Sequence, residues 1–221
     1  MKTPEQTIEK TARNQAWESC YTMGDAWQHK PTNNKYKTGT QIINMLTEVR
    51  AKGGNLLLNV GPKPNGELST QEEGLLREVA LWNAVNGECI HGVRPWREIK
   101  QDKIWYTASA DGKTVYAIVP QWPYSTRKEF LFKSVKATAN TEVGVLGYGN
   151  QFVEYSRGKD GTARFENTSM GLLVSVMNGQ RMYTNPNWPN PIVIRLKNVE
   201  YKPLLKEKVT ISALGAQDGV K

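Results

Sequence analysis

The chain has 221 residues, of which 38% are hydrophobic and 23% charged, and this composition is typical of a globular protein with one or two domains. Its formal net charge is +8, but the basic residues are scattered, which predicts a solvated surface and no nucleic-acid partner. It has no run of about 18 apolar residues, so neither a transmembrane helix nor a membrane partner is expected.

Two segments in the first half predict strands of a parallel sheet. Residues 17–23 read as a short strand. Residues 55–60 form a continuous apolar run between Gly-Gly and Gly-Pro, which predicts a strand buried on both faces. A barrel of alternating strands and helices needs eight such units and about 250 residues, so this half is expected to be the last part of something larger.

Each of these strands precedes a predicted helix that begins at a capping box. In this motif an N-cap hydroxyl and a Glu or Gln three residues later each accept a hydrogen bond from the other residue's backbone. The first box pairs Thr38 with Gln41, and the second pairs Ser69 with Glu72. The order strand, helix, strand, helix indicates an α/β arrangement.

After Trp96 the sequence changes to short β-prone runs separated by turn residues. Strands at intervals of about 8–12 residues predict an all-β, antiparallel sandwich. The predicted strands are residues 104–108, 115–119, 130–132, 143–146, 152–155, 163–165, 172–176 and 192–196.

Several strings of the first half resemble one enzyme family in their order and spacing. The most specific is Lys-Gly-Gly-Asn-Leu-Leu-Leu-Asn-Val-Gly-Pro at residues 52–62, a string rarely matched by chance. The others are Thr-Pro-Glu-Gln at 3–6, Trp-Glu-Ser-Cys at 17–20, Gly-Asp-Ala-Trp at 24–27, Val-Asn-Gly-Glu at 85–88 and Gly-Val-Arg-Pro-Trp at 92–96. Together they resemble the α-L-fucosidases of glycoside hydrolase family 29.

The resemblance implies the C-terminal part of a catalytic (β/α)8-type barrel over residues 1–95 and an antiparallel β-sandwich over residues 96–201. A flexible tail is expected over residues 202–221. The implied activity is retaining hydrolysis of terminal α-L-fucose from glycans, which uses two carboxylates and no metal or organic cofactor. The implied partners are a fucosylated oligosaccharide or glycoprotein glycan, with either the missing N-terminal barrel segment or a second copy of the chain.

The nucleophile that the family implies is not found in this sequence. In the family it is an Asp in a Trp-x-Asp context on an earlier strand. The Asp-Gly pairs at 111, 160 and 218 lie in turns or in the tail, and none has a Trp two residues before it. The alternative interpretation is a non-catalytic carbohydrate-binding fragment, or a partner-dependent fragment of a split fucosidase.

The resemblance implies an acid/base residue in the Thr-Pro-Glu segment, which makes Glu5 the candidate. Glu18 is the runner-up, because it lies on the following strand beside Trp17. A carboxylic acid at the C-terminal face of a barrel is well placed for proton transfer. Sequence alone leaves the choice between the two open.

Three side chains are candidates for sugar binding: Trp27, Trp17 and His29. Trp27 occupies the position of a family aromatic, and the methyl group of a 6-deoxy sugar favours an aromatic wall. His29 replaces the family's usual Tyr. In the sandwich, Trp105, Trp122, Tyr124 and Trp188 would form a binding face if they were exposed together.

The two cysteines give no disulfide framework or metal spacing, and both Cys20 and Cys89 are predicted to be buried free thiols. The first residues are polar and do not resemble a signal peptide. A periplasmic or secreted location is expected only if a signal peptide precedes this sequence.

Overall fold

The computed structural model describes residues 2–13, 15–32, 34–123, 127–148, 160–177, 187–188 and 190–204. Its first half contains β1 (Glu18–Thr22), α1 (Gly39–Ala51), β2 (Asn55–Asn59) and α2 (Thr70–Asn86). β1 and β2 are parallel neighbours, with Cys20 opposite Leu57. The predicted order of strand, helix, strand and helix is therefore confirmed.

Residues 2–6 add a third extended segment to this small sheet. Lys2 bridges Trp17 and Glu5 bridges Cys20, both in parallel. The backbone N–H of Cys20 donates to the Pro4 carbonyl at 3.0 Å. β1 therefore lies in the middle, between residues 2–6 on one edge and β2 on the other.

The prediction that the second strand is buried on both faces is wrong for this chain. Leu57 is 49% exposed, and Leu56 and Leu58, on the other face, are half-buried. Only α1 among the two helices makes extensive contact with β2. The face that carries Leu57 is therefore largely open to solvent in the described part of the chain.

Both predicted capping boxes are present. The Gln41 N–H donates to the Thr38 hydroxyl at 3.1 Å, and the Thr38 N–H donates to the Gln41 side chain at 2.8 Å. At α2, Ser69 and Glu72 make the same reciprocal bonds. These bonds satisfy backbone donors that the first turn of a helix otherwise leaves unpaired.

In its described residues, the second half forms two main antiparallel sheets that pack on a common core, and one short two-stranded sheet. Its strands are β3 (Arg94–Gln101), β4 (Ile104–Ala108), β5 (Val115–Val119), β6 (Trp122–Pro123), β7 (Arg127–Phe132), β8 (Val135–Val145), β9 (Arg164–Thr168), β10 (Gly171–Met177), β11 (Asn187–Trp188) and β12 (Ile192–Tyr201). The larger sheet has the order β3-β4-β5-β12-β8 and the smaller β7-β10-β9, while β6 pairs with β11. Tyr106, Phe132 and Leu172 lie in the core between the two main sheets.

Sequence patterns missed β3 and the first half of β8, and both are edge strands of the larger sheet. Edge strands carry many polar side chains, so their hydrophobic alternation is weak. The predicted strand at residues 152–155 lies outside the described residues, as do residues 205–221 of the expected tail. No helix in the described ranges is long and apolar enough to cross a membrane.

The helices of the first half pack on the outer face of the larger sheet. Ile43 and Trp82 share one buried cluster with Ile118 and Val193. The Trp82 indole N–H donates to the Pro191 carbonyl at 2.7 Å. The helical layer and the sandwich therefore share a core, which fixes α2 relative to the sheet behind it.

Replacing Trp82 with Phe should test this shared core. The Phe ring keeps most of the apolar contact but leaves the Pro191 carbonyl without its donor, so we expect a loss of about 1–2 kcal/mol in the free energy of unfolding. Leu81, the exposed neighbour on the same helix, provides a matched control: Leu81→Ala should change that free energy by less than about 0.5 kcal/mol. Equal effects of the two substitutions in urea unfolding would contradict the shared core.

Candidate active site

A shallow pocket of about 410 Å³ lies on the open face of the parallel sheet. Its lining residues come from all three extended segments and from the loop after β1. They are Thr3, Glu5, Glu18, Cys20, Trp27 and Leu57. Both acid/base candidates and the aromatic candidate are thus brought together in one place.

The register of the sheet explains why these side chains share a face. Glu5, Cys20 and Leu57 are cross-strand partners and form one row. Glu18 precedes Cys20 by two residues, so it points to the same side one row nearer the N-terminal ends of the strands. Glu18 lies opposite Asn55.

Glu5 is exposed, whereas Glu18 is half-buried. The backbone beside Glu5 is held in an unusual conformation, because Gln6 has a φ of 51°. The Gln6 N–H donates to the Cys20 carbonyl at 2.9 Å, and its side chain donates to the Thr22 hydroxyl at 3.0 Å. Such left-handed residues cluster at functional sites, where the surrounding contacts hold them in place.

Trp27 covers the pocket from the loop between β1 and α1 and is 39% exposed. The side chain of Asn59, at the end of β2, donates to the Trp27 carbonyl at 2.7 Å. At the other end of β2, the Asn55 side chain accepts a bond from Arg50 at 3.0 Å. Both asparagines therefore bond to neighbouring protein groups at the strand ends.

The other two sugar-binding candidates do not line the pocket. Trp17 is only 1% exposed, and its indole N–H donates to the Lys52 carbonyl at 3.3 Å. Its ring lies against Gly54, so it packs behind the sheet rather than over it. His29 is half-buried beside the backbone of Gly61, and its Nδ1 atom has no hydrogen-bond partner among the described residues.

Glu72 connects the loop after β2 to the first turn of α2. One carboxylate oxygen accepts the Gly61 N–H at 2.8 Å, and the other accepts the Ser69 hydroxyl at 2.9 Å. Burial raises the pKa of Glu72, but these hydrogen bonds and the nearby His29 together outweigh it and hold the pKa below its ordinary value of 4.5.

This lowered pKa predicts a pH dependence of stability. A carboxylate whose pKa is lower in the folded state stabilises the fold above its unfolded pKa and loses that contribution as the pH falls through the folded value. The stability difference between the wild type and Glu72→Gln should therefore be largest near pH 7 and shrink below about pH 4.5. Urea unfolding at several pH values measures it.

The matched control for that experiment is Glu73→Gln, which changes an exposed carboxylate on the same helical turn. Its effect should be small at every pH, because an exposed carboxylate contributes little. A difference between wild type and Glu72→Gln that stays constant from pH 7 to pH 3.5 would contradict the role of the buried carboxylate.

Sequence patterns did not identify three residues that line the pocket: Thr3, Cys20 and Leu57. Cys20 was expected to be buried, but it is half-buried and lines the pocket, while Cys89 is fully buried. The spacing of two residues from Glu18 along one strand was the available signal for Cys20. Leu57 could be placed in the pocket only from the pairing register of β1 and β2, which cannot be read from the sequence.

Of the four sandwich aromatics, Trp105 and Trp122 have described side chains, and these two do not form a shared exposed face. Trp122 is 1% exposed and belongs to the core. Trp105 is half-buried, with the ammonium group of Lys100 at 4.4 Å from its ring centre. The side chains of Tyr124 and Trp188 lie outside the described residues. Across the parts of the chain that the structure describes, no group of three or more His, Cys, Asp and Glu could hold a metal ion.

Two family models match the chain in succession. The model "Alpha-L-fucosidase" matches residues 1–88, and "Alpha-L-fucosidase C-terminal domain" matches residues 97–189. Plasma alpha-L-fucosidase of Rattus norvegicus is 34% identical over 139 residues, which are 60% of this chain. The match covers 30% of that relative's length, so the chain corresponds to a minor part of it.

Solved structures show the same fold. Alpha-L-fucosidase isoenzyme 1 from Paenibacillus thiaminolyticus superposes on 91% of this chain with a TM-score of 0.63 and 23% identity. A GH29 alpha-L-fucosidase from Bacteroides thetaiotaomicron, trapped as a covalent intermediate in complex with 2-fluoro-fucosyl fluoride, covers 89% with a TM-score of 0.62 and 20% identity. The chain spans 45% and 42% of these two proteins.

These matches confirm the predicted fold class, the C-terminal portion of a (β/α)8-type barrel followed by an antiparallel β-sandwich. They also agree with the order of the two halves along the chain. The chain belongs to the α-L-fucosidase family, glycoside hydrolase family 29.

Proposed function

We propose that this chain supplies the acid/base side of the active site of a retaining α-L-fucosidase. The observation that carries the proposal is that Glu5, Glu18 and Trp27 line one pocket on the open face of the parallel sheet. Retaining hydrolysis needs one carboxylic acid to protonate the leaving oxygen and a second carboxylate to attack the sugar. The attacking carboxylate would come from an earlier barrel strand.

Glu5 is the better acid/base candidate on geometric grounds. Barrel active sites are built at the C-terminal ends of the strands. Glu5 is level with Cys20, whereas Glu18 lies one row further from that end. Glu5 is also the more exposed of the two, so it has freer access to a glycosidic oxygen and to water. We therefore assign the proton transfer to Glu5 and a supporting role in the pocket to Glu18.

Trp27 and Leu57 give this pocket an apolar side next to the two acids. Both side chains are large, apolar and substantially exposed, at 39% and 49%. An apolar surface beside hydrogen-bonding groups suits a 6-deoxy sugar, whose methyl group prefers such contact. We propose terminal α-L-fucose of an oligosaccharide or glycoprotein glycan as the substrate.

The open edge of β2 suggests where the missing barrel strands, which carry the nucleophile, would attach. Its only strand neighbour in the described part of the chain is β1, so one edge of β2 offers unpaired backbone donors and acceptors. Leu57 exposes apolar surface on the same strand. We propose that the N-terminal strands of an α-L-fucosidase barrel cover this edge and face, and carry the nucleophile.

A chimera tests this function. It joins the part of the rat plasma enzyme that precedes the matched segment ahead of Lys2. The chimera is expected to release nitrophenol from nitrophenyl α-L-fucoside, whereas the isolated chain is expected to release none above the buffer rate. A folded, monodisperse chimera without hydrolysis would contradict the proposal, and so would an isolated chain as active as the chimera.

A further inference from the structure

Residues 23–30, called here the Trp27 loop, are attached to the end of β2 at two points. The Asn59 side chain donates to the Trp27 carbonyl at 2.7 Å, and the Asn59 carbonyl accepts the Met23 N–H at 3.3 Å. One residue of β2 therefore holds both the start of the loop and the residue that covers the pocket.

Gly61 allows the other half of the Trp27 loop to approach the chain closely, because it has no side chain. A Cβ atom on Gly61 would lie 2.9 Å from the Gln28 carbonyl carbon and 2.9 Å from the His29 nitrogen. Both are backbone atoms, so no rotation of a side chain can relieve the contact. Any larger residue at position 61 must push the loop away from β2.

Glu72 in turn fixes Gly61. Its carboxylate accepts the Gly61 N–H at 2.8 Å and is only 3% exposed. The same carboxylate is tied to Ser69 at the start of α2, and α2 packs on the sandwich through Trp82. The Trp27 loop is therefore linked, contact by contact, to the buried core that α2 shares with the sandwich.

We propose that Asn59, Gly61 and Glu72 are positioning residues that hold Trp27 over the pocket and thereby set the affinity for the sugar. None of the three lines the pocket, so they act through Trp27 rather than by touching the substrate. The effect on sugar affinity rests on the proposed function, because it requires Trp27 to contact fucose. The effect on the position of Trp27 does not depend on the proposed function.

The first test follows Trp27 directly in the isolated chain, by fluorine NMR of protein labelled with 5-fluorotryptophan. Trp27→Phe identifies its signal. Asn59→Ala and Gly61→Ala should move that signal toward the position of a solvent-exposed fluorotryptophan, and leave the signals of the other tryptophans in place. Matched controls are Asn55→Ala, at the opposite end of β2, and Gly74→Ala, where an added Cβ meets nothing within 4 Å.

Glu72 provides a graded version of the same test. Glu72→Gln keeps an acceptor oxygen for the Gly61 N–H, so it should move the Trp27 signal less than Glu72→Ala does. An unchanged Trp27 signal in both Asn59→Ala and Gly61→Ala would overturn the proposal. So would movement of equal size in the Asn55→Ala and Gly74→Ala controls, since general loosening of the fold would then explain it.

The second test measures sugar affinity in the chimera. Asn59→Ala and Gly61→Ala should raise KM about tenfold and change kcat less than about threefold, because ground-state and transition-state contacts with Trp27 weaken together. Adding Asn59→Ala to Trp27→Ala should have little further effect. Fully additive effects, or an unchanged KM, would overturn the link to affinity. If the wild-type chimera releases no nitrophenol, the proposed function fails, while the fluorine signals still decide whether these residues position Trp27.

Discussion

The chimera that carries Glu5→Gln is expected to lose about 10²–10⁴-fold in kcat toward fucosides with poor leaving groups. Glutamine keeps the size and polarity of the side chain but cannot donate a proton to the glycosidic oxygen. Activated aryl fucosides need less protonation of the leaving group, so their loss should be smaller. Kinetics on a disaccharide substrate and on nitrophenyl α-L-fucoside measure the two losses side by side.

Two matched variants separate this role from general damage to the site. Glu18→Gln changes the neighbouring carboxyl of the same pocket and should reduce kcat much less, without the dependence on leaving group. Glu73→Gln changes an exposed carboxylate on α2, away from the pocket, and should leave both rates unchanged. If Glu18→Gln shows the larger, leaving-group-dependent loss, the assignment of proton transfer to Glu5 is wrong and Glu18 takes that role.

The largest expected effect on folding comes from Gly54→Ala. A Cβ atom at this position would lie 2.4 Å from the ring of Trp17, which is 1% exposed and therefore has no room to move. Overpacking a rigid aromatic against the backbone at the start of β2 should cost about 3 kcal/mol or more in the free energy of unfolding. The midpoint of urea unfolding reports this loss.

Gly74→Ala makes the same chemical change, but it is expected to raise the free energy of unfolding rather than lower it. Gly74 lies within α2, and an added Cβ would meet no atom within 4 Å. Alanine is favoured over glycine in a helix, so this variant should gain up to about 1 kcal/mol. Destabilisation of equal size in both variants would contradict the packing of Trp17 against Gly54.

Sequence patterns predicted the elements whose signals are local. The capping boxes at Thr38 and Ser69 depend on residues three positions apart, and both helices begin where these boxes place them. The strand at residues 104–108 was predicted with its observed bounds, because it is apolar and flanked by turns. Sequence motifs also directed attention to Glu5, Glu18 and Trp27, which the fold brings into one pocket.

Other features depend on contacts between residues that are far apart in the sequence, and no local pattern predicts these contacts. The burial of Trp17 follows from its contact with Gly54, and the exposure of Leu57 follows from an open sheet face. The polar edge strand β3 lacks the strong alternation by which strands are recognised. The hydrogen bond from Asn59 to the Trp27 carbonyl could be predicted only from the strand register and the path of the loop together.

The central claim is that this chain supplies the proton-transferring carboxyl and not the nucleophile. Covalent labelling of the chimera with 2-fluoro-fucosyl fluoride, followed by peptide mass spectrometry, tests it most directly, because a retaining enzyme forms a fucosyl ester on its nucleophile. We predict that the labelled peptide comes from the N-terminal part contributed by the relative. A fucosyl ester on any carboxylate of residues 1–221, Glu18 included, would contradict the account.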